Sequence, residues 1–287
     1  MKIDSRYKLL GLLGNPVKHS LSPIMHNAVI AKTGLKYVYL AFSVELGSLQ
    51  KAVEGFTALK AGGFNVTVPF KEAILPFLDE IDASAEMIGA VNTVLIKEGR
   101  TYGFNTDVSG FTRSIVEAGL DIRGGSVVVL GAGGAAKAAI NALINMQAAN
   151  IYIINRKQDK TQAIIDKYKH INSCSLWNIS ITEMDNALSN SDLLINATSV
   201  GMHGYMEYES PVSAQLFKKE TWVCDLVYNP IKTVLLREAE KKGCKTIDGI
   251  DMLVHQGADA FKIWTGVEPP RDFMRKQLRA IIKGSAC

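Results

Sequence analysis

The turn at residues 131–136 has the residue types that bind a phosphate group. The segment VVVLGAGGAAKAAINALI places Gly131, Gly133 and Ala136 in a G-x-G-x-x-A pattern, after β-branched residues and before an alanine-rich stretch. A sharp turn at Gly131 lets the backbone at Gly133 approach a pyrophosphate, and the free N–H groups of the following helix face that anion. Because the glycines lie between a predicted strand and a predicted helix, we favour a dinucleotide-binding turn over a tight turn without a ligand.

The end of the next predicted strand indicates which dinucleotide binds. An NAD-selective domain has an acidic residue about 20 residues after the glycines, which holds the ribose hydroxyls. Here the strand IYIIN is followed by Asn155, Arg156 and Lys157, with Lys160 further on. Cationic side chains suit a 2′-phosphate, and the planar guanidinium of Arg156 can also stack on adenine, so NADP is favoured. Asp159 leaves NAD open, and a solvated helix start would also explain the lysines.

Hydride transfer with such a cofactor needs a protein group that handles a proton. Lys71, at the end of the segment NVTVPFK, and Asp107 are candidates outside the glycine turn, although the solvated end of a strand explains Lys71 equally well from the pattern alone. None of the histidines lies in a metal-ligand or catalytic-triad pattern, and an isolated histidine is more often structural. These five residues are His19, His26, His170, His203 and His255.

Two serines could bind an anionic group. The segment HSLSP places Ser20 and Ser22 two residues apart, immediately before a predicted helix. Both hydroxyls and the positive end of the helix dipole can then face one anion, and a carboxylate suits such a site. Capping of the helix by Ser22 alone is an equally good interpretation.

The composition favours a small-molecule partner. The chain has 32 Lys+Arg against 28 Asp+Glu, and it lacks the runs of like charge that predict binding to nucleic acid or a membrane surface. Its N-terminal apolar stretches are too short for a signal peptide or a membrane span. We therefore expect a reduced, cytoplasmic, metal-free protein, with a homodimer left open. The cysteines form neither a CxxC pair nor a metal-spaced cluster; they are Cys174, Cys224, Cys244 and Cys287.

The order of the elements predicts an α/β protein with two domains. In the N-terminal part, YKLLGLLG, YVYLAFSV and FNVTVP predict strands, with helices between them. AVNTVLIKEGRTYGFNTD predicts two strands around a Lys-Glu-Gly-Arg turn, which brings Asn92 and Asp107 to one end of a hairpin. A second alternation follows, in which SVVVL, NIYIINR, DLLINATS, WVCDLVY and CKTID predict strands, and the chain ends in two predicted helices.

Three local patterns in the N-terminal part predict finer detail. The first helix has Ser22 as its N-cap, Pro23 at its first position and Gly34 at its end. The alternation in NVTVPFK predicts a strand with Val66 and Val68 on an apolar face. Asn65 and Thr67 then lie on a polar face. The second helix has one apolar stripe, formed by Leu49, Val53, Phe56 and Leu59.

Together these stretches resemble the shikimate dehydrogenase family over nearly the whole chain. The matching segments, in order, include GNPVKHSLSPIMHN, GGFNVTVPFKE, GAVNTV, GFNTDVSGF, LGAGGAAKA, INRK, INATSVGM, DLVYNP and TIDGIDMLVHQGADAF. The resemblance implies a mainly parallel substrate-binding domain at 1–107, completed by helices within 250–287. It also implies a Rossmann-like NADP-binding domain at 108–249 and a cleft between the two. The implied activity is the reversible, NADP-dependent oxidoreduction of shikimate and 3-dehydroshikimate, which leads to chorismate and the aromatic amino acids.

The resemblance also assigns roles to single residues. Lys71 and Asp107 would form the catalytic pair that handles the substrate hydroxyl and its proton. The implied substrate ligands are Ser20, Ser22, Thr67, Lys71, Asn92, Asp107 and Gln256, with Tyr228 reaching in from the cofactor domain. The implied cofactor ligands are Gly131, Ala132, Gly133, Gly134 and Ala135 at the pyrophosphate, Asn155, Arg156 and Lys157 at the adenosine phosphate, and Thr198, Gly249 and Met252 near the nicotinamide.

One departure from the family pattern concerns the cofactor. Many NADP-using members have Thr or Ser after Asn-Arg and an arginine three residues further on, whereas this chain has Lys157 and Lys160. Positive charge is retained without the bidentate geometry of arginine. One alternative is therefore a quinate/shikimate dehydrogenase that uses NAD or both cofactors. A remote alternative is a non-catalytic, cofactor-sensing regulator, against which the presence of both Lys71 and Asp107 argues.

Overall fold

The computed structural model describes residues 3–171 and 173–284. The helices of this part of the chain are α1 (Ser22–Thr33), α2 (Leu49–Ala58), α3 (Ala83–Ile88), α4 (Asp107–Glu117), α5 (Gly134–Asn145), α6 (Gln158–Tyr168), α7 (Met184–Ser189), α8 (Val234–Lys241), α9 (Gly249–Thr265) and α10 (Arg271–Gly284). The strands are β1 (Lys8–Gly14), β2 (Tyr37–Ser43), β3 (Gly63–Val66), β4 (Glu80–Ile81), β5 (Thr93–Lys97), β6 (Arg100–Phe104), β7 (Ser126–Leu130), β8 (Asn150–Ile154), β9 (Ser175–Ile179), β10 (Leu193–Asn196), β11 (Trp222–Asp225) and β12 (Thr246–Ile247).

The described chain divides into two compact units. The first contains residues 3–107 and 254–284, and the second contains residues 108–253. Each unit has its own six-stranded sheet, and most neighbouring strands run parallel. The predicted α/β class with mainly parallel sheets is confirmed. No helix in the described ranges combines the length and the apolar character that a membrane span requires.

The sheet of the first unit has the strand order β2-β1-β3-β5-β6-β4. The strand β5 runs antiparallel to both β3 and β6, and the other three pairings are parallel. Glu98 and Gly99 join β5 to β6 with φ values of 54° and 78°, which is typical of a type I′ hairpin turn. The hairpin is therefore formed as predicted. Thr93 pairs with Phe104, so Asn92 and the residues after β6 lie at one end of it.

Helix α1 begins one residue earlier than the sequence predicts. Leu21, rather than Ser22, is the N-cap, and Ser22 is the first helical residue. Its Oγ is therefore not the predicted cap, and the backbone N–H of Ser22 instead lies 3.3 Å from Ser20 Oγ. The predicted end at Gly34 is confirmed, because Gly34 adopts a left-handed conformation with φ 70°.

The apolar stripe of α2 is one residue shorter than predicted. Leu49, Val53 and Phe56 are buried and pack into the core of the first unit. Leu59 was expected on the same stripe, but its side chain is 71% exposed. The helix ends at Ala58, so Leu59 follows the last turn and no longer lies above Val53 and Phe56.

The segment NVTVPFK differs from the predicted alternating strand. Strand β3 ends at Val66, so the expected extension to Pro69 is wrong, and Val68 lies in a turn where it is 65% exposed. Asn65 is buried, although it was expected on a polar face. All four residues of the central strand β3 are buried, so both of its faces are covered, as is typical of a strand in the middle of a mainly parallel sheet.

The sheet of the second unit is entirely parallel in its described pairings, with the order β12-β11-β10-β7-β8-β9. Counted from β7, this is the order 3-2-1-4-5-6, which is the arrangement of classical dinucleotide-binding sheets. In such sheets, ligands bind beyond the carboxyl ends of the strands. Here those ends are Leu130, Ile154, Asn196 and Asp225.

Two edge strands were not predicted from the sequence. The strand β4 has two residues, and β9 lies at the edge of its sheet beside β8 and exposes half of Trp177. Short edge strands are defined mainly by their partners, because their own residues have little burial to produce a periodic pattern. The five predicted strands of the second unit are confirmed.

The C-terminal helices contribute to the first unit. From Val254 onward, α9 belongs to that unit, and α10 packs beside α1. The indole N–H of Trp264 on α9 donates to the carbonyl of Val94 in β5 at 2.9 Å. Gly63 makes this approach possible, because a Cβ at its φ of 151° would lie 2.5 Å from Trp264 Nε1.

Candidate active site

A close ion pair forms the centre of the polar site in the first unit. Lys71 Nζ donates to Asp107 Oδ2 at 2.5 Å. The side chains are only 16% and 6% exposed, respectively. An ammonium has three N–H donors, so Lys71 can hold Asp107 and a substrate oxygen at the same time. The structure thus brings together two residues that are 36 positions apart in the sequence.

Two buried side chains fix the backbone on both sides of Lys71. Phe70 and Ile74 lie in the core of the first unit, and the N–H of Ile74 donates to the carbonyl of Phe70. The carbonyl of Lys71 accepts from the N–H of Val91 at 2.8 Å. Because the main chain is held at these points, the lysine side chain is directed by packed neighbours rather than by a mobile loop.

Asp107 begins helix α4, where the positive end of the helix dipole favours a carboxylate. Its backbone N–H donates to Asn105 Oδ1 at 3.0 Å, and Asn105 in turn donates to the carbonyl of Ala90 at 2.8 Å. The carboxylate therefore sits on an anchored turn after β6. Its negative charge is balanced by both the helix end and the ammonium of Lys71.

Asn92 orients the second oxygen of this carboxylate. Its Nδ2 donates to Asp107 Oδ1 at 2.8 Å, while its Oδ1 accepts from the backbone N–H of Thr106 at 2.8 Å. Gln256 Oε1 lies 3.5 Å from the same Nδ2, which places the C-terminal helix α9 beside this group. Three predicted substrate ligands therefore converge on one carboxylate or its immediate neighbour, namely Lys71, Asn92 and Gln256.

Asn65 holds the backbone at Asn92 and the side chain of Thr93 through hydrogen bonds. Its Nδ2 donates to the carbonyl of Asn92 and to Thr93 Oγ1, both at 3.0 Å, and its Oδ1 accepts from the Tyr39 hydroxyl at 2.8 Å. The alternation in NVTVPFK predicts Asn65 on a polar face. Its amide is instead occupied by protein partners, so it stabilises the site rather than facing outward.

The remaining predicted substrate residues lie on three segments. Ser20 lies two residues before the start of α1, and Ser22 is the first residue of that helix. The backbone N–H of Ser22 donates to Ser20 Oγ. Thr67 follows β3, and its Cγ2 contacts Gly14 so closely that a Cβ at Gly14 would lie 2.3 Å away. Tyr228 lies in the second unit, after β11.

The glycine turn of the second unit fits a pyrophosphate. Gly131 has φ 111° and follows β7, and its N–H donates to the carbonyl of Ile154 at the end of β8. Gly133 is the N-cap of α5, and a Cβ built there would meet nothing within 4 Å. The space beside Gly133 is therefore open, and no acidic residue lies in the first turn of α5 to compete with an anion.

The third small residue of the pattern brings α5 close to the sheet. Ala136 and Ala139 are fully buried in the core of the second unit. Larger side chains at these positions would push the helix, and with it the N–H groups of Gly134 and Ala135, away from β7. Ala132, between the two glycines, is also buried in this core.

The candidate residues for the adenosine phosphate directly follow β8. Asn155 Nδ2 donates to the carbonyl of Lys157 at 2.9 Å, which closes the short turn before α6. Arg156, Lys157 and Lys160 are exposed. Asp159, the residue that kept NAD open, lies in the first turn of α6, where a carboxylate suits the helix dipole.

Three further cofactor candidates lie near the carboxyl ends of the strands or in α9. Thr198 follows β10, and a Cβ at Gly131 would lie 3.4 Å from Thr198 Cγ2, so this residue adjoins the glycine turn. Gly249 opens α9 against the loop after β11, where a Cβ would lie 2.6 Å from the carbonyl of Leu226. Met252 is buried in the core of the second unit, which gives it a packing role beside any contact with the cofactor.

Sequence reasoning missed a buried polar cluster in the second unit. Asp225 Oδ1 accepts from Asn196 Nδ2 at 2.9 Å, and its Oδ2 accepts from the Thr233 hydroxyl at 2.6 Å. Burial raises the pKa of Asp225 to about 6, although the hydrogen bonds from Thr233, Val227 and Asn196 act in the opposite direction. The signal was visible as a polar residue at the end of two apolar strands, INATS and CDLVY.

The histidines divide into buried and exposed groups. His26 and His255 are fully buried, and His19, His170 and His203 are exposed. Burial lowers the pKa of His26 to about 3. Within residues 3–171 and 173–284, no group of three or more His, Cys, Asp or Glu side chains could hold a metal ion.

Three family models match the sequence. Residues 12–94 match the shikimate dehydrogenase substrate binding domain, residues 113–223 match shikimate/quinate 5-dehydrogenase, and residues 249–279 match the shikimate 5′-dehydrogenase C-terminal domain. The first and last matches fall mainly in the unit that carries Lys71 and Asp107. The middle match falls in the unit with the dinucleotide-type sheet.

Known proteins resemble the chain over almost its full length. The shikimate dehydrogenase (NADP+) of Methanocaldococcus jannaschii is 43% identical over 277 residues, which is 96% of this chain and 98% of that protein. A crystal structure of a shikimate dehydrogenase in complex with NADP+ has a TM-score of 0.91, with 42% identity and 98% of both chains covered. The quinate dehydrogenase of Corynebacterium glutamicum in complex with NAD has a TM-score of 0.88 and 34% identity, over 96% of this chain and 99% of that one.

The strand order and glycine turn of the second unit define an α/β protein of the dinucleotide-binding class. With the matches to relatives above 40% identity, the chain belongs to the shikimate dehydrogenase family.

Proposed function

We propose that this protein catalyses the reversible, NADP-dependent oxidoreduction of shikimate and 3-dehydroshikimate in the biosynthesis of chorismate and the aromatic amino acids. The observation that carries the proposal is the Lys71–Asp107 pair, held at 2.5 Å in a unit that matches the family's substrate binding domain. The similarity to relatives named shikimate dehydrogenase (NADP+) supports the reaction and the cofactor.

Lys71 and Asp107 handle the hydroxyl group that is oxidised. In the oxidative direction the substrate alcohol gives its O–H proton to the Lys71–Asp107 pair as its hydride leaves, and the charge of Lys71 stabilises the negative charge that develops on that oxygen. Asp107 holds both the ammonium and the substrate hydroxyl, because its oxygens are already oriented by Lys71 and Asn92. Such general acid–base assistance is typically worth about 100- to 10,000-fold in rate.

The polar residues around this pair match the chemistry of shikimate, which carries one carboxylate and three hydroxyls. Ser20 and Ser22, at the positive end of α1, suit the carboxylate. Asn92, Thr67 and Gln256 supply donors and acceptors for hydroxyls, and Tyr228 is the proposed ligand from the second unit. A substrate that lacks one hydroxyl would leave a polar partner unpaired, which is the basis of specificity at such sites.

The second unit binds NADP, which supplies the hydride acceptor and donor. Gly131 to Ala135 and the N-terminus of α5 hold the pyrophosphate, and the open space at Gly133 supports this assignment. Asn155, Arg156 and Lys157 hold the 2′-phosphate end. Thr198, Gly249 and Met252 are the proposed residues on the nicotinamide side.

The alternative is a quinate/shikimate dehydrogenase that uses NAD or both cofactors. It draws on the similarity to a quinate dehydrogenase in complex with NAD, but the higher identity to NADP-dependent shikimate dehydrogenases does not favour it. Steady-state rates with shikimate and quinate, each measured with NADP and NAD, distinguish the two functions. The proposal expects shikimate with NADP to give the highest kcat/KM. A complete lack of absorbance change at 340 nm in all four assays would instead favour the non-catalytic regulator.

We further propose a cytoplasmic protein whose partners are small molecules rather than nucleic acid or membranes. The net charge of +4 without charge runs and the three free thiols Cys174, Cys224 and Cys244 support this proposal. Cys287 lies outside the described residues. A homodimer stays a prediction, which size-exclusion chromatography with light scattering tests.

A further inference from the structure

The side chain of Asn196 organises the loop that follows β10. Its Oδ1 accepts from the backbone N–H of Thr198 at 3.1 Å and from the Thr198 hydroxyl at 2.7 Å. Its Nδ2 donates to the carbonyl of Val200 at 3.1 Å and to Asp225 Oδ1 at 2.9 Å. A backbone N–H can only donate and a backbone carbonyl can only accept, so these partners determine which end of the amide is oxygen.

Asp225 connects this loop to the loop that follows β11. The carboxylate is fully buried, and it accepts from Asn196, from the backbone N–H of Val227 at 3.0 Å and from the Thr233 hydroxyl at 2.6 Å. A carboxylate can only accept while it is ionised. It therefore favours the orientation of Asn196 in which Nδ2 faces Asp225 and Oδ1 faces Thr198.

These contacts determine whether the Thr198 hydroxyl donates or accepts toward a ligand. A hydroxyl has one hydrogen and two lone pairs. The hydrogen goes to Asn196 Oδ1, which carries none of its own, and one lone pair accepts from the N–H of Val200 at 3.2 Å. The remaining lone pair can only accept. Thr198 thus presents an acceptor beside the glycine turn, since its Cγ2 lies 3.4 Å from the Cβ position of Gly131.

We propose that Asp225 is a positioning residue that acts through Asn196 to keep Thr198 as a hydrogen-bond acceptor for a donor group of the bound cofactor. The primary amide of a nicotinamide ring carries a donor of this kind. The inference rests on the proposed function, because it assumes that a nicotinamide cofactor binds at the second unit. It adds the polarity of the contact and a buried residue that touches neither cofactor nor substrate.

A cofactor analogue that lacks the donor isolates this contact. In the 3-acetylpyridine analogue of NADP, a methyl ketone replaces the primary amide, so the group keeps its acceptor and loses its N–H donors. Isothermal titration calorimetry with the full-length protein gives Kd for NADP and for the analogue. We expect the wild-type protein to prefer NADP by about 2- to 10-fold, the usual worth of one hydrogen bond.

Four variants test the chain of contacts. Thr198→Val removes the acceptor and should reduce the preference for NADP to about one. Asp225→Leu removes one of the groups that orient Asn196, beside the Thr198 N–H and the Val200 carbonyl, so it should reduce the preference in the same direction. Asp225→Asn retains an oxygen that accepts from Asn196 and should keep the preference. Thr233→Ser retains the hydroxyl that bonds to Asp225 and serves as the matched control for the site.

A purely structural role for Asp225 gives a different result. In that case Asp225→Leu weakens the binding of NADP and of the analogue by the same factor, the preference is unchanged, and the inference is overturned. If Asp225→Leu does not fold, Thr198→Val still decides the acceptor assignment, and an unchanged preference in that variant rejects it. Failure of the proposed function is separate, because wild-type protein would then not reduce NADP with shikimate.

Discussion

The side-chain amide of Asn92 donates a hydrogen bond of 2.8 Å to Oδ1 of Asp107. This contact leaves the other carboxylate oxygen directed at Lys71 Nζ. Asn92 is itself fixed by the backbone N–H of Thr106 and by the Thr93 hydroxyl, both of which donate to its Oδ1. The geometry of the catalytic candidates therefore depends on a neutral buried residue as well as on the two charged ones.

Replacement of Asn92 by Leu should reduce both activity and stability. The change leaves Asp107 Oδ1 and the N–H of Thr106 without this partner, and each buried unpaired group costs about 1–3 kcal/mol. Urea unfolding should show the lower free energy of unfolding, and steady-state kinetics should show a lower kcat with shikimate. Asn190→Leu, at an exposed amide in the second unit, is the control. A variant with wild-type stability and kcat would contradict the role given to Asn92.

Lys71→Ala should lower kcat far more than it changes KM for shikimate. The ammonium acts on charge that develops at the substrate oxygen, so its loss affects the transition state more than the bound ground state. We expect a decrease of about 100- to 10,000-fold in kcat. Lys51→Ala removes an exposed lysine from α2 and should leave both constants unchanged. A near-normal kcat with only a raised KM in Lys71→Ala would reject the catalytic assignment.

Gly133→Val should weaken cofactor binding without destabilising the protein. Gly133 has φ −85° and no atom within 4 Å of its Cβ position, so the backbone and the protein tolerate a side chain that intrudes on the pyrophosphate. We expect Kd for NADP to rise by at least about tenfold, equivalent to about 1.4 kcal/mol, with an unchanged melting temperature.

Gly131→Val provides the contrast to this variant. Gly131 has φ 111° and its Cβ position lies 3.0 Å from the carbonyl oxygen of Ala197, so this substitution should lower the melting temperature as well. Gly47→Val, at an open position in the first unit, is the control for Gly133→Val. Equal NADP affinity in Gly133→Val and the wild type would show that the pyrophosphate does not lie at this turn.

Local patterns in the sequence predicted the elements that hold the site. Gly131 is informative because its positive φ favours a residue without a side chain, and Gly133 because a side chain there would intrude on a bound pyrophosphate. The hairpin that aligns Asn92 with Asp107 was equally visible, because Glu98 and Gly99 form a two-residue turn between two short apolar runs. Such features depend only on residues that are close together in the chain.

The supporting hydrogen bonds could not be predicted in the same way. Tyr39 reaches Asn65 only because β1 lies between β2 and β3, and Asn196 reaches Asp225 only because β10 and β11 are neighbours. No local pattern determines which strands are adjacent. The burial of Asn65 and the exposure of Val68 have the same origin, since the length and position of β3 follow from its partners.

Asp225→Asn should stabilise the protein at high pH. Burial raises the pKa of Asp225 to about 6 from its ordinary value of 3.8, so the folded state favours the protonated form. The stability that Asp225 contributes is therefore greatest below pH 4, where it is protonated, and is lost as the pH rises through 6. This difference in pKa corresponds to about 3 kcal/mol in the free energy of unfolding.

The amide of Asp225→Asn removes the buried charge while it keeps an oxygen for Asn196 and Val227. Urea unfolding at pH 4.5 and pH 8 should show that the variant gains stability over the wild type mainly at pH 8. Asp185→Asn, at an exposed carboxylate on α7, is the control. A variant that is less stable than the wild type at pH 8 would show that the ionised carboxylate is the favoured form in the folded protein.

His26→Leu should make the protein more resistant to acid. His26 is fully buried and stacks on Tyr39 with ring centroids 4.5 Å apart, while Phe261 and Trp264 are its other aromatic neighbours. Neither of its ring nitrogens has a hydrogen-bond partner among the described residues. Burial lowers the pKa of His26 to about 3 from the ordinary 6.5. Between these two pH values the unfolded chain is protonated at His26 and the folded protein is not.

Because the folded protein keeps His26 neutral, the free energy of unfolding is unaffected by this group above pH 6.5 and decreases as the pH falls toward 3. Between pH 7.5 and pH 5 this single group accounts for a loss of about 2 kcal/mol.

Leucine does not titrate, so His26→Leu should lose about that much less than the wild type when urea unfolding is measured at both pH values. The absolute stability of the variant also reflects the lost ring stacking, which is why the difference between the two pH values is the decisive quantity. His170→Leu changes an exposed histidine and should follow the wild type. If His26→Leu and the wild type lose equal stability between pH 7.5 and pH 5, His26 is protonated in the folded protein and the burial argument fails.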